Sequence, residues 1–172
     1  LVSDERLRAL DSIHRRFART ASVALSALVR ARAQVELAGL SQKTYFEFIR
    51  SLPNPTCLCL AYSQPVSPSA ASHRTPFVLE IDPSALFLMI ERLLGGRGDG
   101  AVPPARPLTR IEQELTRSIA EQILGALRES WVGAVSSAPG AAASEVERLD
   151  IHFDIAEIEH NPLLLQIVGP SE

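Results

Sequence analysis

A glycine- and proline-rich stretch, IERLLGGRGDGAVPPARP at residues 90–107, has the residue types most suited to close contact with another molecule. Its glycines stand at positions 95, 96, 98 and 100, where the backbone is free to adopt positive φ and to approach a partner closely. A phosphate-binding loop would follow a strand, open a helix and carry Gly-Lys-Ser/Thr or G-x-G-x-x-G. These glycines follow a helical pattern, and neither motif is present. The stretch therefore indicates a linker or a contact loop, and the tripeptide Arg97-Gly98-Asp99 is interpreted as a chance match to an adhesion signal.

Other residues capable of chemistry give no positive support for an enzyme or a metal site. The four histidines, His14, His73, His152 and His160, are far apart, and no H-x-x-x-H or C-x-x-C spacing occurs. Glu157 and Glu159 lie near His160, and a carboxylate–imidazole pair can transfer protons, but a turn that carries solvated charges is a far commoner explanation of such a cluster. No G-x-S-x-G nucleophile elbow is present. We therefore predict no catalytic residue, no metal and no cofactor.

Two long amphipathic helices organise the sequence. The first, over residues 4–30, has a stripe of apolar residues at steps of three and four. The second follows a Thr109-x-x-Glu112 capping box. The predicted stripes are Leu10, Ile13, Phe17, Ala21, Ala24 and Leu28 in the first helix, and Ile111, Leu115, Ile119, Ile123, Leu127 and Trp131 in the second.

Shorter elements fill the space between and after these helices. Strands are predicted at 33–40, 56–62, 77–81, 145–155 and 163–168, a loop at 63–76, a flexible connection at 133–144 and a turn at 156–162. A short helix is expected after Ser41, up to Pro53. Another starts at an Asp82-Pro83 cap and ends at Gly95. The second round of this helix-and-strand order stops early. The pattern predicts an α/β domain in layers, with long helices on a mainly antiparallel sheet.

Length and composition limit the classes of protein to which this sequence can belong. The 172 residues suit one domain, 46% of them are hydrophobic, and the net charge of −3 favours neither nucleic acid nor an anionic membrane. Residues 1–50 carry nine Lys/Arg and five Asp/Glu, whereas residues 51–172 carry eight and fifteen, an asymmetry compatible with side-by-side self-association or a plain solvated surface. Cys57 and Cys59 are interpreted as reduced core residues of an intracellular protein. No apolar run approaches the roughly 20 residues that span a bilayer, and Leu1 suggests a piece of a longer chain.

Several stretches together resemble the middle domain of the flagellar motor switch family FliM. They are RLRALDSIHRRFART in the first helix, YFEFIRSLPNPTCL at 45–58, EIDPSALFLMIERLLGGRGDG at 80–100, LTRIEQELTRSIAEQIL at 108–124 and NPLLLQIVGPSE at the end. Their order and spacing match along essentially the whole chain. The segment RSLPNPT and the junction between a helix and LGGxG are the most specific parts.

The resemblance implies the pseudo-twofold fold shared with CheC- and CheX-type phosphatases, with residues 1–94 and 108–172 as its halves and 95–107 as the loop between them. It implies a structural and signalling role in the cytoplasmic switch ring at the flagellar basal body, peripheral to the inner membrane. The GGxG loop of the family contacts the middle domain of FliG. Carried over to this chain, the docking residues are Gly95, Gly96, Arg97 and Gly98, with Asp99 adjoining. Neighbouring FliM copies meet side by side, for which we expect Arg15, Arg19, Glu114 and Arg117.

Three departures from the family limit what carries over. The segment that captures CheY-phosphate and the domain that joins FliN are missing from this sequence, and we expect the second half to be truncated at its C-terminal end. Two other readings remain. A CheC-type phosphatase needs Glu and Asn one helical turn apart on the long helices, and the only asparagines, Asn54 and Asn161, both precede proline outside those helices. An adaptor of the same fold without a motor role would fail to bind FliG.

Overall fold

The computed structural model describes residues 3–65, 75–98, 103, 106–136 and 151–164. Its elements are, in chain order, α1 (Asp4–Val29), α2 (Tyr45–Ser51), β1 (Cys57–Pro65), β2 (Thr75–Ile81), α3 (Pro83–Leu93), α4 (Arg110–Ser136), β3 (Ile151–Glu159) and a 3-10 turn (Pro162–Leu164). The three strands form one sheet in the order β2-β1-β3. The predicted combination of long helices with a mainly antiparallel sheet is confirmed.

Two hydrogen bonds at the start of β1 show the antiparallel pairing. Thr56, the residue before β1, donates its backbone N–H to the carbonyl of His160, which follows β3 (3.2 Å). The Thr56 hydroxyl donates to Glu80 Oε1, near the end of β2 (2.6 Å). The start of β1 therefore lies beside the ends of both neighbours, as antiparallel strands require.

The chain divides into two compact units, and each draws on separated segments of the sequence. The first comprises Leu1–Gln42, Ser63–Arg74 and Glu121–Phe153, and the second comprises Lys43–Tyr62, Thr75–Ala120 and Asp154–Glu172. β1, β3 and α4 each contribute residues to both units.

In the first unit, α1 buries a line of small and branched residues: Ala18, Ala21, Leu25 and Val29. The predicted stripe is only partly right, because of its six members only Ala21 is fully buried and the other five are half-buried. Large side chains such as Phe17 marked the apolar side of the helix correctly. The fully buried line instead runs through two alanines, Ala18 and Ala21, to Leu25 and Val29.

The strand predicted at 33–40 is wrong, because this segment has no strand pairing. It is held to α1 by two serine hydroxyls: Ser26 Oγ accepts from the N–H of Ala33 (2.9 Å), and Ser22 Oγ accepts from the N–H of Val35 (2.8 Å). Burial alternates from residue 31 to residue 38. The alternation read from the sequence is therefore real, but it reflects an extended segment lying along a helix.

In the second unit, Leu58 and Leu60 of β1 form a core, and partly buried side chains pack against it from α2 and its C-cap, from β1 itself and from β2. These are Ile49, Leu52, Tyr62 and Val78. The short helix begins three residues later than Ser41 predicted, since Thr44 is its N-cap and forms a reciprocal capping box with Glu47. Ile49 and Leu52, at the C-terminal end of the helix, dock it on the core, whereas Tyr45 and Phe46 next to the cap are exposed.

The remaining differences from the predicted elements are local. Ile111, predicted on the buried stripe of α4, is 67% exposed because it lies in the first turn. Residues 133–136 continue α4, residues 156–159 belong to β3, and Pro162–Leu164 is a 3-10 turn where a strand was expected at 163–168. The predicted loop at 63–76 loses 63–65 to β1 and 75–76 to β2. Predictions for residues 66–74, 137–150 and 165–172 lie outside the described residues.

Candidate docking loop

The loop starts from a firmly placed helix. Asp82 caps α3 as predicted, with Oδ1 accepting from the N–H groups of Ser84 (2.8 Å) and Ala85 (3.2 Å), and Pro83 occupies the first turn. Leu86 and Ile90 are 1% and 3% exposed and anchor the helix in the core. The C-terminal end of α3 is thereby fixed in position.

Gly95 ends this helix, as the sequence predicts. It has φ +90°, and its N–H donates to the carbonyl of Arg92 (3.1 Å), while the N–H of Gly96 donates to the carbonyl of Glu91 (2.9 Å). This pair of bonds is the Schellman motif, which satisfies helix-end carbonyls through a left-handed residue. Nothing lies within 4 Å of the position that a Cβ would take at Gly95, so glycine is favoured there for its φ alone.

Gly98 is needed for a different reason, which the sequence did not reveal. Its φ is +71°, and a Cβ would lie 2.8 Å from Arg92 Cδ and 3.2 Å from Arg92 Cγ. The Arg92 side chain therefore lies against the bare backbone of Gly98, and its Nη1 donates to the carbonyl of Arg97 (3.0 Å). Arg92 therefore positions the loop. Helical periodicity could not predict this contact, because it forms only after the turn at Gly95 has folded the chain back onto α3.

The absence of a side chain at Gly96 leaves room for the side chain of Glu91. A Cβ at this position would lie 2.6 Å from Glu91 Cγ and 3.0 Å from the Glu91 carbonyl oxygen. The backbone oxygen cannot move without breaking the helix end, so a larger residue would have to shift the loop.

An ion pair fixes the segment where it returns to α4. Arg106 Nη1 and Nη2 each donate to the Glu112 carboxylate at 2.8 Å. Glu112 also accepts from the N–H of Thr109 (2.6 Å), and Thr109 Oγ1 accepts from the N–H of Glu112, which confirms the predicted capping box. The hydrogen bonds from Arg106 lower the pKa of Glu112 from 4.5 to about 2, and the bonds from Thr109 add to the effect against the opposing influence of burial.

The loop presents a cation, an apolar side chain and bare backbone together. Arg97 and Gly95 are exposed, and the neighbouring Leu94 is 66% exposed. Asp99 lies outside the described residues. Arginine and large apolar side chains around accessible backbone are typical of a protein-binding surface.

The four residues expected at contacts between copies differ in their surroundings. Arg15, Arg19 and Glu114 are exposed, and Arg15 Nε donates to Asp11 Oδ2 within α1 (2.6 Å). Arg117 is half-buried, and its Nη1 donates to the carbonyl of Ile155 in β3 (2.9 Å).

Cys57 and Cys59 are unpaired thiols, 1% and 0% exposed. A hydrogen bond to Cys59, followed by burial, raises the pKa of Cys57. The same bond, with a smaller contribution from nearby Arg117, lowers the pKa of Cys59. Their burial agrees with the interpretation as core residues.

Glu159 belongs to the hydrogen bonding of a turn. Its Oε1 accepts from the backbone N–H groups of His160 (2.7 Å) and Asn161 (2.9 Å). Both Asn54 and Asn161 lie outside the helices, as expected. Within the described ranges, no group of three or more His, Cys, Asp or Glu side chains is arranged to hold a metal ion. No helix in the described part of the chain is long and apolar enough to cross a membrane.

Long helices on an antiparallel sheet, with a glycine turn after α3, are the features of a CheC-like domain. The crystal structure of Thermotoga maritima FliY shows this fold, with a TM-score of 0.69 at 12% identity over 92% of this chain and 70% of that one. The sequence model of the family "Flagellar motor switch protein FliM" matches residues 3–172. The chain belongs to the FliM family.

Individual relatives agree along nearly the whole chain. FliM of Borreliella burgdorferi is 38% identical over 170 residues, and FliM of Treponema pallidum is 37% identical over 170 residues; each match covers 99% of this chain. The matches cover 42% and 43% of those relatives, so the chain spans less than half of their length. The FliG–FliM complex of H. pylori contains a chain with a TM-score of 0.78 and 33% identity, covering 98% of this chain and 80% of that one.

Proposed function

We propose that this chain is the middle part of a flagellar motor switch subunit and that it docks FliG through Gly95, Gly96, Arg97 and Gly98, with Asp99 adjoining. Membership of the FliM family and the H. pylori FliG–FliM complex support this partner. The observation that carries the choice of surface is the glycine turn, whose shape is fixed by bonds at the end of α3 and by the Arg92 side chain.

A turn of this kind lowers the cost of binding. Its backbone is already held in one conformation, so little conformational entropy is lost when a partner closes on it. Arg97 and Leu94 are exposed and flank the turn in sequence; arginine is among the side chains that dominate interface energetics, and Leu94 adds apolar surface. Gly95 is exposed, with nothing within 4 Å of the position of a Cβ, and leaves room for the partner's backbone, whereas Gly96 and Gly98 accommodate Glu91 and Arg92 and so hold the turn.

A calorimetric titration against the middle domain of FliG tests the proposal. We expect saturable binding that weakens about tenfold in Arg97→Ala, whose side chain is exposed, since loss of an interface arginine costs roughly 1–2 kcal/mol. Gly98→Ala should weaken binding as well, because it displaces Arg92. Gly39→Ala is the matched control, since Gly39 is exposed and a Cβ there meets nothing within 4 Å. Unchanged affinity in both loop variants would place the FliG surface elsewhere, and no binding by the folded chain would favour an adaptor outside the motor.

Side-by-side contact between copies is the second part of the proposal, through surfaces that include Arg15, Arg19 and Glu114, with Arg117 at their edge. Single cysteines at Arg19 and Glu114 test it by crosslinking in assembled rings. The native thiols are buried, so they should contribute little crosslinking of their own. An absence of crosslinks in rings that do assemble would refute these positions. In this proposal, the direction of rotation changes when neighbouring subunits shift relative to one another on the cytoplasmic side of the inner membrane. CheY-phosphate and FliN bind to other segments of the full-length protein.

A further inference from the structure

The short helix α2 leaves a large aromatic side chain in solvent. Ile49 and Leu52 pack onto the core of the second unit. Phe46, by contrast, is 62% exposed, and Tyr45 beside it in sequence is exposed as well. Aromatic side chains are enriched at protein interfaces relative to the rest of a protein surface. The exposed ring therefore marks α2 as a candidate contact surface.

Arg50 lies over this ring. Its guanidinium carbon is 4.3 Å from the centroid of the Phe46 ring, one helical turn earlier, which is a cation–π contact. Arg50 is exposed, and no described residue accepts a hydrogen bond from it. A planar guanidinium with open N–H groups can bind a carboxylate through two parallel hydrogen bonds. The ring holds the guanidinium in place, so less side-chain entropy is lost when a carboxylate binds.

The charges that α2 offers to a partner are positive. Lys43 Nζ donates to Ser51 Oγ (3.1 Å), so its ammonium group lies beside the last residue of α2. The only carboxylate between residues 40 and 52 is that of Glu47. Its Oε2 already accepts from the N–H and from the hydroxyl of Thr44, both at 2.8 Å, and these hydrogen bonds lower the pKa of Glu47. The two cations are therefore complemented by a partner that carries carboxylates.

We propose that α2, together with Lys43, is a docking surface for an acidic protein segment that has an apolar side chain next to its carboxylates. One carboxylate pairs with Arg50, the apolar side chain packs against Phe46, and Lys43 attracts a second acidic group. The stacked guanidinium accounts for the carboxylate, and the exposed ring accounts for the apolar side chain. This surface shares no residue with the docking loop, and the proposal does not depend on FliG binding.

The test uses two hexapeptides with acetylated and amidated ends, Asp-Glu-Leu-Phe-Glu-Asp and its neutral counterpart Asn-Gln-Leu-Phe-Gln-Asn. Each is titrated into the 172-residue chain and followed by amide NMR. The two probes have the same apolar centre and differ only in charge. We expect saturable shifts concentrated at residues 43–51. The acidic peptide should bind about tenfold tighter, which corresponds to about 1.4 kcal/mol, because hydrogen bonds between charged groups are the strong ones.

Three variants assign this preference to side chains. Arg50→Met keeps an apolar stem near Phe46 and should reduce the preference for the acidic peptide to near unity. Phe46→Ala should weaken the binding of both peptides, since it removes the ring that contacts their apolar centre and positions Arg50. Arg32→Met, at an exposed arginine outside α2, is the matched control and should leave the preference intact.

Equal binding of the two peptides by the wild-type chain would overturn the proposal, as would shifts centred on residues outside α2. A preference that survives Arg50→Met would overturn the role of the stacked guanidinium. Two further results would replace the proposed partner with another. A dimer of the chain alone that dissociates in Arg50→Met would show that the surface binds a second copy. Tighter binding to phosphatidylglycerol vesicles than to the acidic peptide, lost in the same variant, would show that it binds a membrane.

Discussion

The ion pair between Arg106 and Glu112 is predicted to stabilise the fold in a way that depends on pH. Glu112→Gln removes the charge but keeps a side chain that can still cap the N–H of Thr109. The pKa of Glu112 falls from 4.5 to about 2 in the folded protein. A group with a lowered folded pKa contributes its stabilisation above the unfolded pKa and loses it as the pH falls through the folded pKa.

The magnitude follows from the pKa and the exposure of the pair. A difference from 4.5 to about 2 corresponds to roughly 3 kcal/mol as an upper bound. The Glu112 side chain is only 14% exposed, but that of Arg106 is 45% exposed, so solvent screens part of the attraction. We therefore expect Glu112→Gln to lose about 1 kcal/mol at pH 7 and the difference from wild type to shrink as the pH falls from about 4.5 towards 2.

Urea unfolding measured by the fluorescence of Trp131, the only tryptophan, gives the free energy of unfolding at each pH. Arg106→Met completes a double-mutant cycle, in which the two substitutions should not add because they remove the same contact. Asp11→Asn is the control: its bond to Arg15 is shorter at 2.6 Å, but both side chains are more than 40% exposed, and no measurable change is expected. A loss that persists unchanged down to pH 2, or additive effects, would refute the reasoning.

Two further predictions concern stability and thiol chemistry. Gly125→Ala should raise the free energy of unfolding by roughly 0.5–1 kcal/mol in urea titrations, because Gly125 is an exposed interior residue of α4 and a Cβ meets nothing within 4 Å; destabilisation would show that this surface is covered. Cys57 and Cys59 should react with a thiol reagent such as dithionitrobenzoate only at the rate of unfolding, because both are buried; fast labelling of the native chain would show that β1 is accessible.

Local capping chemistry was predictable from the sequence because it depends on neighbouring residues. Asp82-Pro83 starts α3, Gly95 ends it, and Thr109 with Glu112 caps α4, all as predicted. Each of these signals relies on backbone groups no more than four residues away. The start of the glycine turn was therefore predictable in position and in conformation.

Contacts that depend on tertiary placement were not predictable in the same way. The alternation at 33–40 has the period of a strand, yet its N–H groups are satisfied by serine hydroxyls of α1, and periodicity cannot name the partner. Arg92 gave no signal either, since its contact with Gly98 requires the turn at Gly95 to fold the chain back first.

The choice between a linker and a contact loop for residues 95–98 depends on the conformational entropy that the glycines lose on folding. Each glycine loses more conformational freedom on folding than another residue would, by roughly 0.5–1 kcal/mol relative to alanine. The positive φ of Gly95 is needed to end α3 in either case, but a segment that only spans a distance has no need to fix positive φ at Gly98. Here the bonds to the Glu91 and Arg92 carbonyls and the bond from Arg92 to the Arg97 carbonyl hold those conformations. Ordering a side-chain-poor turn beside an exposed arginine makes physical sense when the ordered surface itself is used, and this is why we interpret the turn as a docking loop.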